Sequence, residues 1–379
     1  MRAGCGTSIK RLDLLYSVAS RSESMQVQTT KPAMNLAALR FDRTAALIDG
    51  RVAVENLNVI NTPGGKASVS GFYGGAFDAA DVPLARYVSW KVHGVPVTAI
   101  PVFTDRLFQY AYIYTRTDTG ITKLDDLRGR RVICAPSYFA TPSFWFRALL
   151  KDECGIEPHE IEWYSTTPES DEMHIPDGIR VTVSPASILG LERLLDGTAD
   201  CLMTARTPLI PDEQRHVVRR VLLDAHEHQR AWYERNKFFP ILHVVAIRQD
   251  ALSMRPGFAT ELCRAYDEAK DHAYRVLQDE RMTGLPFMRT YLDDTVELCG
   301  DDPWPYGLDR NQAELKRFLS YAHEQGLTNR DLEVEELFES DAASYKFTAR
   351  MFAGCITAMP DGGWAPSPTQ PNKSGQRRS

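Results

Sequence analysis

KLDDLRGRRVICAPSYFATPSFWFRALLKDECGIEPHEIEW, residues 123–163, is the stretch whose reading decides the fold. Its first turn carries Asp125 and Asp126 and leads through Arg128-Gly129-Arg130 into Arg131-Val132-Ile133-Cys134-Ala135, a short run with the length and apolar content of a buried strand. Pro136 ends the run, and a loop from Ser137 to Ala140 delivers the chain to Thr141-Pro142. A hydroxyl residue followed by proline marks a helix start, because the side chain can cap free N–H groups and proline has no N–H to lose at the first helical position. Phe144, Trp145, Ala148 and Leu149 then recur at roughly helical spacing, and Gly155 supplies the stop. Strand, loop and helix N-terminus in this order predict an α/β fold with a parallel sheet. Unpaired N–H groups then lie at the carboxyl ends of its strands, where such folds hold small anions.

Towards the N-terminus, Asn35–Arg40 reads as a strand, Asp42 as the cap of a helix from Arg43 to Asp49, and Leu57–Asn61 as a second strand. The glycine-rich stretch Gly64–Gly75 reads as a flexible loop in place of a helical connection. Ala76–Val82 and Thr98–Val102 read as strands and Leu84–His93 as a helix, and Leu107–Arg116 alternates so that Phe108, Tyr110, Tyr112 and Tyr114 share one strand face. The polar run Thr117–Gly120 marks a crossing into a second domain. That domain takes in strands at Ile161–Tyr164, Ile179–Val183 and Ala199–Ala205, and helices at Ser187–Leu195 and Asp224–Lys237. Phe239–Arg248 returns the chain as a strand, and Phe258–Leu277 carries the clearest amphipathic stripe. Gln312–Gln325 and Leu332–Phe338 supply further helices. The expected organisation is a disordered extension 1–33, a discontinuous α/β domain from 34–117 and 239–340, an α/β domain 118–238 inserted into it, and a C-terminal extension 341–379 whose end has a disordered composition. Such an insertion puts a ligand in the cleft between two lobes.

At 379 residues, 43% hydrophobic and 25% charged, with net charge -6, the chain has the composition of a globular protein. It lacks the basic footprint of a nucleic-acid binder or a membrane-surface protein, so a small molecule is the expected partner. Seven cysteines, an odd number with no Cys-x-x-Cys pair, read as reduced thiols. The first thirty residues contain only a short apolar run, Leu12–Ala19, broken by Asp13 and Tyr16, too short for a membrane span and too weak for a secretory signal. A cytoplasmic protein is therefore expected. A homo-oligomer is compatible with the sequence, which does not fix the oligomeric state.

Residues scattered over Asn35–Glu339 carry a family resemblance. Phe41-Asp42-Arg43, Ile100-Pro101-Val102-Phe103, the DLRGRRV run, the Pro-x-Tyr loop with its following Thr, and Trp145 with Arg147 are part of it. Phe239-Pro240-Ile241-Leu242-His243, Asp301-Asp302-Pro303-Trp304-Pro305-Tyr306-Gly307-Leu308, Tyr321-x-x-Glu324-Gln325-Gly326-Leu327 and Glu335-Glu336-Leu337-Phe338 complete it in collinear order. Together they resemble the 4,5-dihydroxyphthalate decarboxylases. The resemblance implies a two-lobed fold of periplasmic-binding-protein type II kind and conversion of a 4,5-dihydroxyphthalate-like acid to a 3,4-dihydroxybenzoate-like product, with a small aromatic carboxylate as partner. The family pattern carries Arg-His after Arg-x-Phe, whereas this chain has Gln109-Tyr110 after Arg106-Leu107-Phe108. That departure points to a related phenolic acid with one carboxylate fewer, or a bulkier one.

Such a reaction sets its own requirements. Direct loss of CO₂ would leave an aryl carbanion whose lone pair cannot delocalise, so the lower route protonates the carboxylate-bearing carbon first. The site needs cations or N–H groups for carboxylates, a proton donor over that carbon, and an acceptor for a phenol proton. His243, inside the apolar run Phe239–Arg248 at a domain crossing, is the first candidate donor, with a satisfied core histidine as the plain alternative. Asp42 is the second, if burial raises its pKa. Arg206, following a buried strand, is the first choice for a carboxylate clamp, against a surface salt bridge. Arg43 either joins the clamp or pairs locally with Asp42, and Arg147 either binds substrate or, with Trp145, holds its helix on the sheet. Ser137, Tyr138 and Thr141 offer hydroxyls and N–H groups, and Arg106 and Tyr110 complete the substrate-binding set. No cofactor is expected: dinucleotide fingerprint, phosphate loop and Gly-x-Ser-x-Gly turn are all missing. No metal is expected either, since His226-Glu227-His228 lies in a helical run where positions two apart diverge. The competing reading is a non-catalytic binder of an aromatic or pyrimidine-like ligand.

Overall fold

The computed structural model describes residues 31–170, 172–184 and 190–351. The expectations for 1–30 and 352–379, and for the start of the helix at Ser187, lie outside the described residues. Eleven strands occur among the described residues: β1 Met34–Ala38, β2 Leu57–Asn61, β3 Ala79–Pro83, β4 Val97–Ile100, β5 Ile113–Arg116, β6 Arg131–Cys134, β7 Glu162–Ser165, β8 Val181–Val183, β9 Cys201–Met203, β10 Val218–Arg220 and β11 His243–Arg248. They form two sheets, ordered β2-β1-β3-β11-β4 and β10-β5-β9-β6-β7-β8. In the first, β1 pairs parallel with β2 and β3, while β11 runs antiparallel between β3 and β4. In the second, β6 pairs parallel with both β7 and β9.

The period of β11 shows how the first sheet is buried. Val245 and Ile247 join the core beneath the helices Asp42–Ile48 and Phe258–Gln278, whereas Val244 and Ala246 face the helices Gly65–Tyr73 and Leu84–Val92. A strand covered on both faces reads as an unbroken apolar run, which is why Phe239–Arg248 stands out in the sequence.

Several expectations change. Gly64–Gly75 is not a loop: Gly65–Tyr73 is helical, with Ser68 donating to the Asp81 carbonyl (2.6 Å) and Phe72 stacked on Trp90. Gly71 is there for closeness, since a Cβ would fall 2.2 Å from the Phe77 ring. Leu107–Arg116 is not one strand either. Gln109–Tyr112 forms a 3₁₀ turn before β5, so Phe108 stacks on Phe239, Tyr110 on His228, and only Tyr114 lies in the sheet. Because β5 already belongs to the second sheet, the chain crosses before Thr117–Gly120.

The helix Gln312–Glu324 packs on the helix Thr141–Cys154 of the second sheet, with Phe318 centred 4.5 Å from Phe144 and 5.5 Å from Trp145. Its stripe of Leu315, Phe318, Leu319 and Ala322 helps form one apolar core that runs from the first sheet into the second. At the crossing, fully buried Arg106 and Glu314 pair at 2.8 Å. Arg106 also donates to the Phe239 and Pro305 carbonyls and to Asn311, and Glu314 accepts the Ile241 N–H. Burial pushes the Glu314 carboxyl up to about 7 against the pull of Arg106.

Candidate active site

His243 is the first residue of β11, not an interior one. Proline at 240 has no N–H for a ladder, Ile241 makes only an isolated bridge to Arg106, and the N–H groups of Leu242 and His243 turn to the Asp105 carbonyl, so the ladder of β11 starts at His243. In register, His243 faces Pro83 and Val245 faces Asp81. Asp81 is thus the diagonal neighbour of His243 on the same face, within side-chain reach. The imidazole Nδ1 lies 2.5 Å from Asp81 Oδ1. Since a carboxylate only accepts, Nδ1 carries the hydrogen and Nε2 is left for other work. Asp81 is completely buried, and its second oxygen accepts the Thr104 hydroxyl. The His243 side chain is 13% exposed. Burial alone would lower its pKa, but attraction to Asp81 and the hydrogen bond between them outweigh it and hold His243 above the ordinary value.

Charged groups gather around this pair. Asp105, half-buried on the crossing segment, is pushed above the usual carboxylate range by burial, against the pull of His243 and Arg43. Arg206 is exposed beyond the end of β9, has no ion-pair partner among the described residues, and is close enough for its charge to act on His243. Arg43 Nε donates to the Thr104 carbonyl (2.7 Å) and Nη1 to Asp42 (3.0 Å), while its guanidinium lies 3.6 Å from the centre of the Trp304 ring. Gly65 opens the helix that faces the imidazole: a Cβ there would sit 3.3 Å from His243 Cε1 and 3.7 Å from Nε2.

Other candidates are differently placed. Asp42 is 60% exposed rather than buried, and it starts its helix after Phe41 without capping it. Thr141 is also not a cap; Ala140 is, and the buried Thr141 hydroxyl accepts the Ala85 N–H across the interface between the sheets (3.2 Å). Ser137 donates to Glu169 (3.2 Å), whose other oxygen accepts the Phe139 N–H (3.0 Å). The anion expected at this loop is therefore the chain's own carboxylate. Tyr138 is buried beneath Arg147, whose guanidinium lies 3.6 Å from the Tyr138 ring centre and donates to the Tyr138 carbonyl and Gln325. Arg106 is tied into the buried crossing described above, with only Nε unpartnered. Tyr110 lines a small hollow, with a cavity volume of about 10 Å³, with Phe108, Trp145, Trp232 and Phe238, and neither His243 nor Arg206 borders it. His226 is exposed and His228 stacks on Tyr110; among the described residues no cluster of His, Cys, Asp and Glu could hold a metal ion.

Asp81, Asp105 and Glu169 do not emerge from the sequence reading, and Trp304 enters it only as part of the motif Asp301–Leu308, with no role given to it. Asp81 carries a usable signal, a lone carboxylate in the apolar run Ala79–Val82, since burying an unpaired charge is costly enough to demand a partner. Asp105 and Glu169 carry none, because each depends on a loop returning from elsewhere in the chain.

No family model matches the chain. Over 320 residues it is 30% identical to the 4,5-dihydroxyphthalate decarboxylase of Comamonas testosteroni, an alignment covering 82% of this chain and 97% of that protein. The chain belongs to the 4,5-dihydroxyphthalate decarboxylase family. It is thus a carboxy-lyase by family. The 4,5-dihydroxyphthalate decarboxylase of Pseudomonas putida is 26% identical over 184 residues, covering 46% of this chain and 71% of that protein. Among solved structures, the periplasmic sulfonate-binding protein SsuA of Methylobacillus flagellatus KT aligns with TM-score 0.50 and 15% identity over 83% of this chain and 93% of that one. This likeness gives the fold, a periplasmic-binding-protein type II arrangement. No helix among the described residues is long and apolar enough to cross a membrane.

Proposed function

We propose that this decarboxylase-family chain removes CO₂ from a hydroxylated aromatic acid of the 4,5-dihydroxyphthalate kind, without a cofactor, by protonating the ring carbon that bears the carboxylate. The observation that carries this reading is the His243–Asp81 pair, an imidazole held through Nδ1 by a fully buried carboxylate, with Nε2 unpartnered among the described residues. Burial alone would lower the imidazole pKa; Asp81 reverses that and keeps the proton loaded for delivery.

Asp105 takes the proton of the hydroxyl para to the departing carboxylate, and the resulting phenolate pushes electron density onto the ipso carbon. His243 Nε2 delivers its proton there, forming a dienone in which that carbon holds both hydrogen and carboxylate. The bond to the carboxylate then breaks, its electron pair restores the ring as the para phenolate, CO₂ leaves, and the phenolate takes its proton back from Asp105. His243 is reprotonated from solvent. Arg206 and Arg43 hold the carboxylates, since a guanidinium matches a carboxylate through paired hydrogen bonds. A reducing, cytoplasmic setting accords with this chemistry and with unpaired thiols at Cys134, Cys201 and Cys263.

Incubation of purified, chelator-treated protein with 4,5-dihydroxyphthalate and a panel of hydroxylated benzoates, with CO₂ followed by mass spectrometry, tests the proposal. Run in D₂O, the product should carry one deuterium at the carbon that lost the carboxylate. Tight binding of a panel member with no CO₂ released would select a solute binder instead.

A further inference from the structure

Trp304 is not assigned any part in the reaction, yet hydrogen bonds hold both its backbone and its ring in place. Its peptide N–H donates to the Tyr274 hydroxyl (3.1 Å), and its carbonyl accepts from Lys270 Nζ (3.1 Å). Lys270 and Tyr274 both donate to Asp302 Oδ1, at 3.0 and 2.8 Å, and Lys270 and Asp302 are almost completely buried. The indole N–H donates to the Phe103 carbonyl (2.7 Å), one residue before the Thr104 carbonyl that receives Arg43 Nε. Removing a lysine and an aspartate from water is costly, and an apolar pair could fill the same space. Here the cost fixes a ring.

That ring carries Arg43. The guanidinium carbon lies 3.6 Å from the Trp304 ring centre and 4.4 Å from that of Phe41, so aromatic surface meets the cation from both residues. Nε is taken by Thr104 and Nη1 by Asp42, while Nη2 has no hydrogen-bond partner among the described residues. Carboxylates bind a guanidinium in its plane and at its edge, so a cation stacked on rings keeps its recognition edge open. We infer that Trp304 is a positioning residue, seated by Lys270, Tyr274 and Asp302, that aims the open edge of Arg43 at a substrate carboxylate. The inference deepens the proposed function and rests on Arg43 being part of the clamp.

Steady-state CO₂ release from 4,5-dihydroxyphthalate by Arg43→Ala, Trp304→Leu, Trp304→Phe and the Arg43→Ala/Trp304→Leu double variant tests it. Trp304→Leu should raise KM about tenfold with kcat within about twofold, Trp304→Phe should restore most of the loss, and the double variant should be no worse than Arg43→Ala. A KM raised by Arg43→Ala but not by Trp304→Leu, or effects that multiply in the double variant, would overturn the role of Trp304 and leave the clamp intact. A KM that Arg43→Ala does not move would remove Arg43 from the clamp and the inference with it. Should Trp304→Leu fail to fold, growth on fluorinated tryptophans weakens the ring's pull without changing its shape. KM should then climb with fluorine count in the wild type and stay flat in Trp304→Phe, and a flat wild-type series would count against the proposal.

Discussion

Two turns of this protein, one leading out of β6 in the second sheet and one leading into β11 in the first, treat their polar groups in opposite ways. At the turn after β6, the hydroxyl of Thr141 is occupied by the Ala85 N–H, Ser137 and the Phe139 N–H by Glu169, and Arg147 by Gln325 and the Tyr138 carbonyl. Around the start of β11, His243 Nε2, the Arg43 Nη2 edge and the Arg206 guanidinium have no hydrogen-bond partner in the protein's own framework among the described residues. The first turn has the stronger sequence signature, and the second has the unspent chemistry. A helix N-terminus announces where an anion can sit; only the remaining structure decides whether a side chain of the same chain has already taken the place.

The contrast breaks first at His243. His243→Ala should abolish CO₂ release, a loss of at least about a hundredfold, while ligand affinity stays within about tenfold; turnover close to wild type would remove the imidazole from the chemistry. Arg206→Ala should chiefly weaken carboxylated ligands, raising KM for the dicarboxylate about tenfold or more with a smaller change in kcat. Equal wild-type affinity for the acid and its decarboxylated analogue would count against this clamp. On the spent side, Arg147→Ala should cost about 2–4 kcal/mol of stability in denaturant unfolding, because buried acceptors lose their donor, yet leave the KM of the folded fraction unchanged. Ser137→Ala should alter KM and kcat by no more than about twofold, since its hydroxyl serves Glu169.

Asp81→Asn sharpens the same comparison through pH. The folded pKa of His243 is raised above its unfolded value, ordinarily 6.5. The stability contributed by the Asp81 pair is therefore complete below that value and lost as pH rises through the folded pKa. Activity that needs the protonated ring should fall on the same alkaline side. With Asp81 neutralised, burial dominates and the alkaline limb of the rate profile should move to lower pH. A limb that stays in place would assign it to another group.

Much of the first sheet is legible in the sequence because its strands are short apolar runs between glycine and proline signals, and β11 in particular could not be anything else. The helix Phe258–Gln278 is equally plain from its stripe. Gly65–Tyr73 is obscured because five of its nine residues are glycine or polar, namely Gly65, Lys66, Ser68, Ser70 and Gly71, and the close approach of Phe77 that demands Gly71 is a tertiary fact. Of the candidate site, His243 can be picked out as a histidine in an apolar run, and Arg43 and Arg206 as cations following strands. Asp105 and Trp304 cannot, since one arrives on a crossing segment and the other on a loop some two hundred residues further along. Pairing across such distances leaves no local pattern to read.

The helix Gln312–Glu324 ties the two sheets to one another. Phe318 is wedged against Phe144 and Trp145, and Glu314 grips both chain crossings through Arg106 and the Ile241 N–H. Turning one sheet against the other would have to pull a buried ion pair and an aromatic cluster apart, so this helix acts as a rivet.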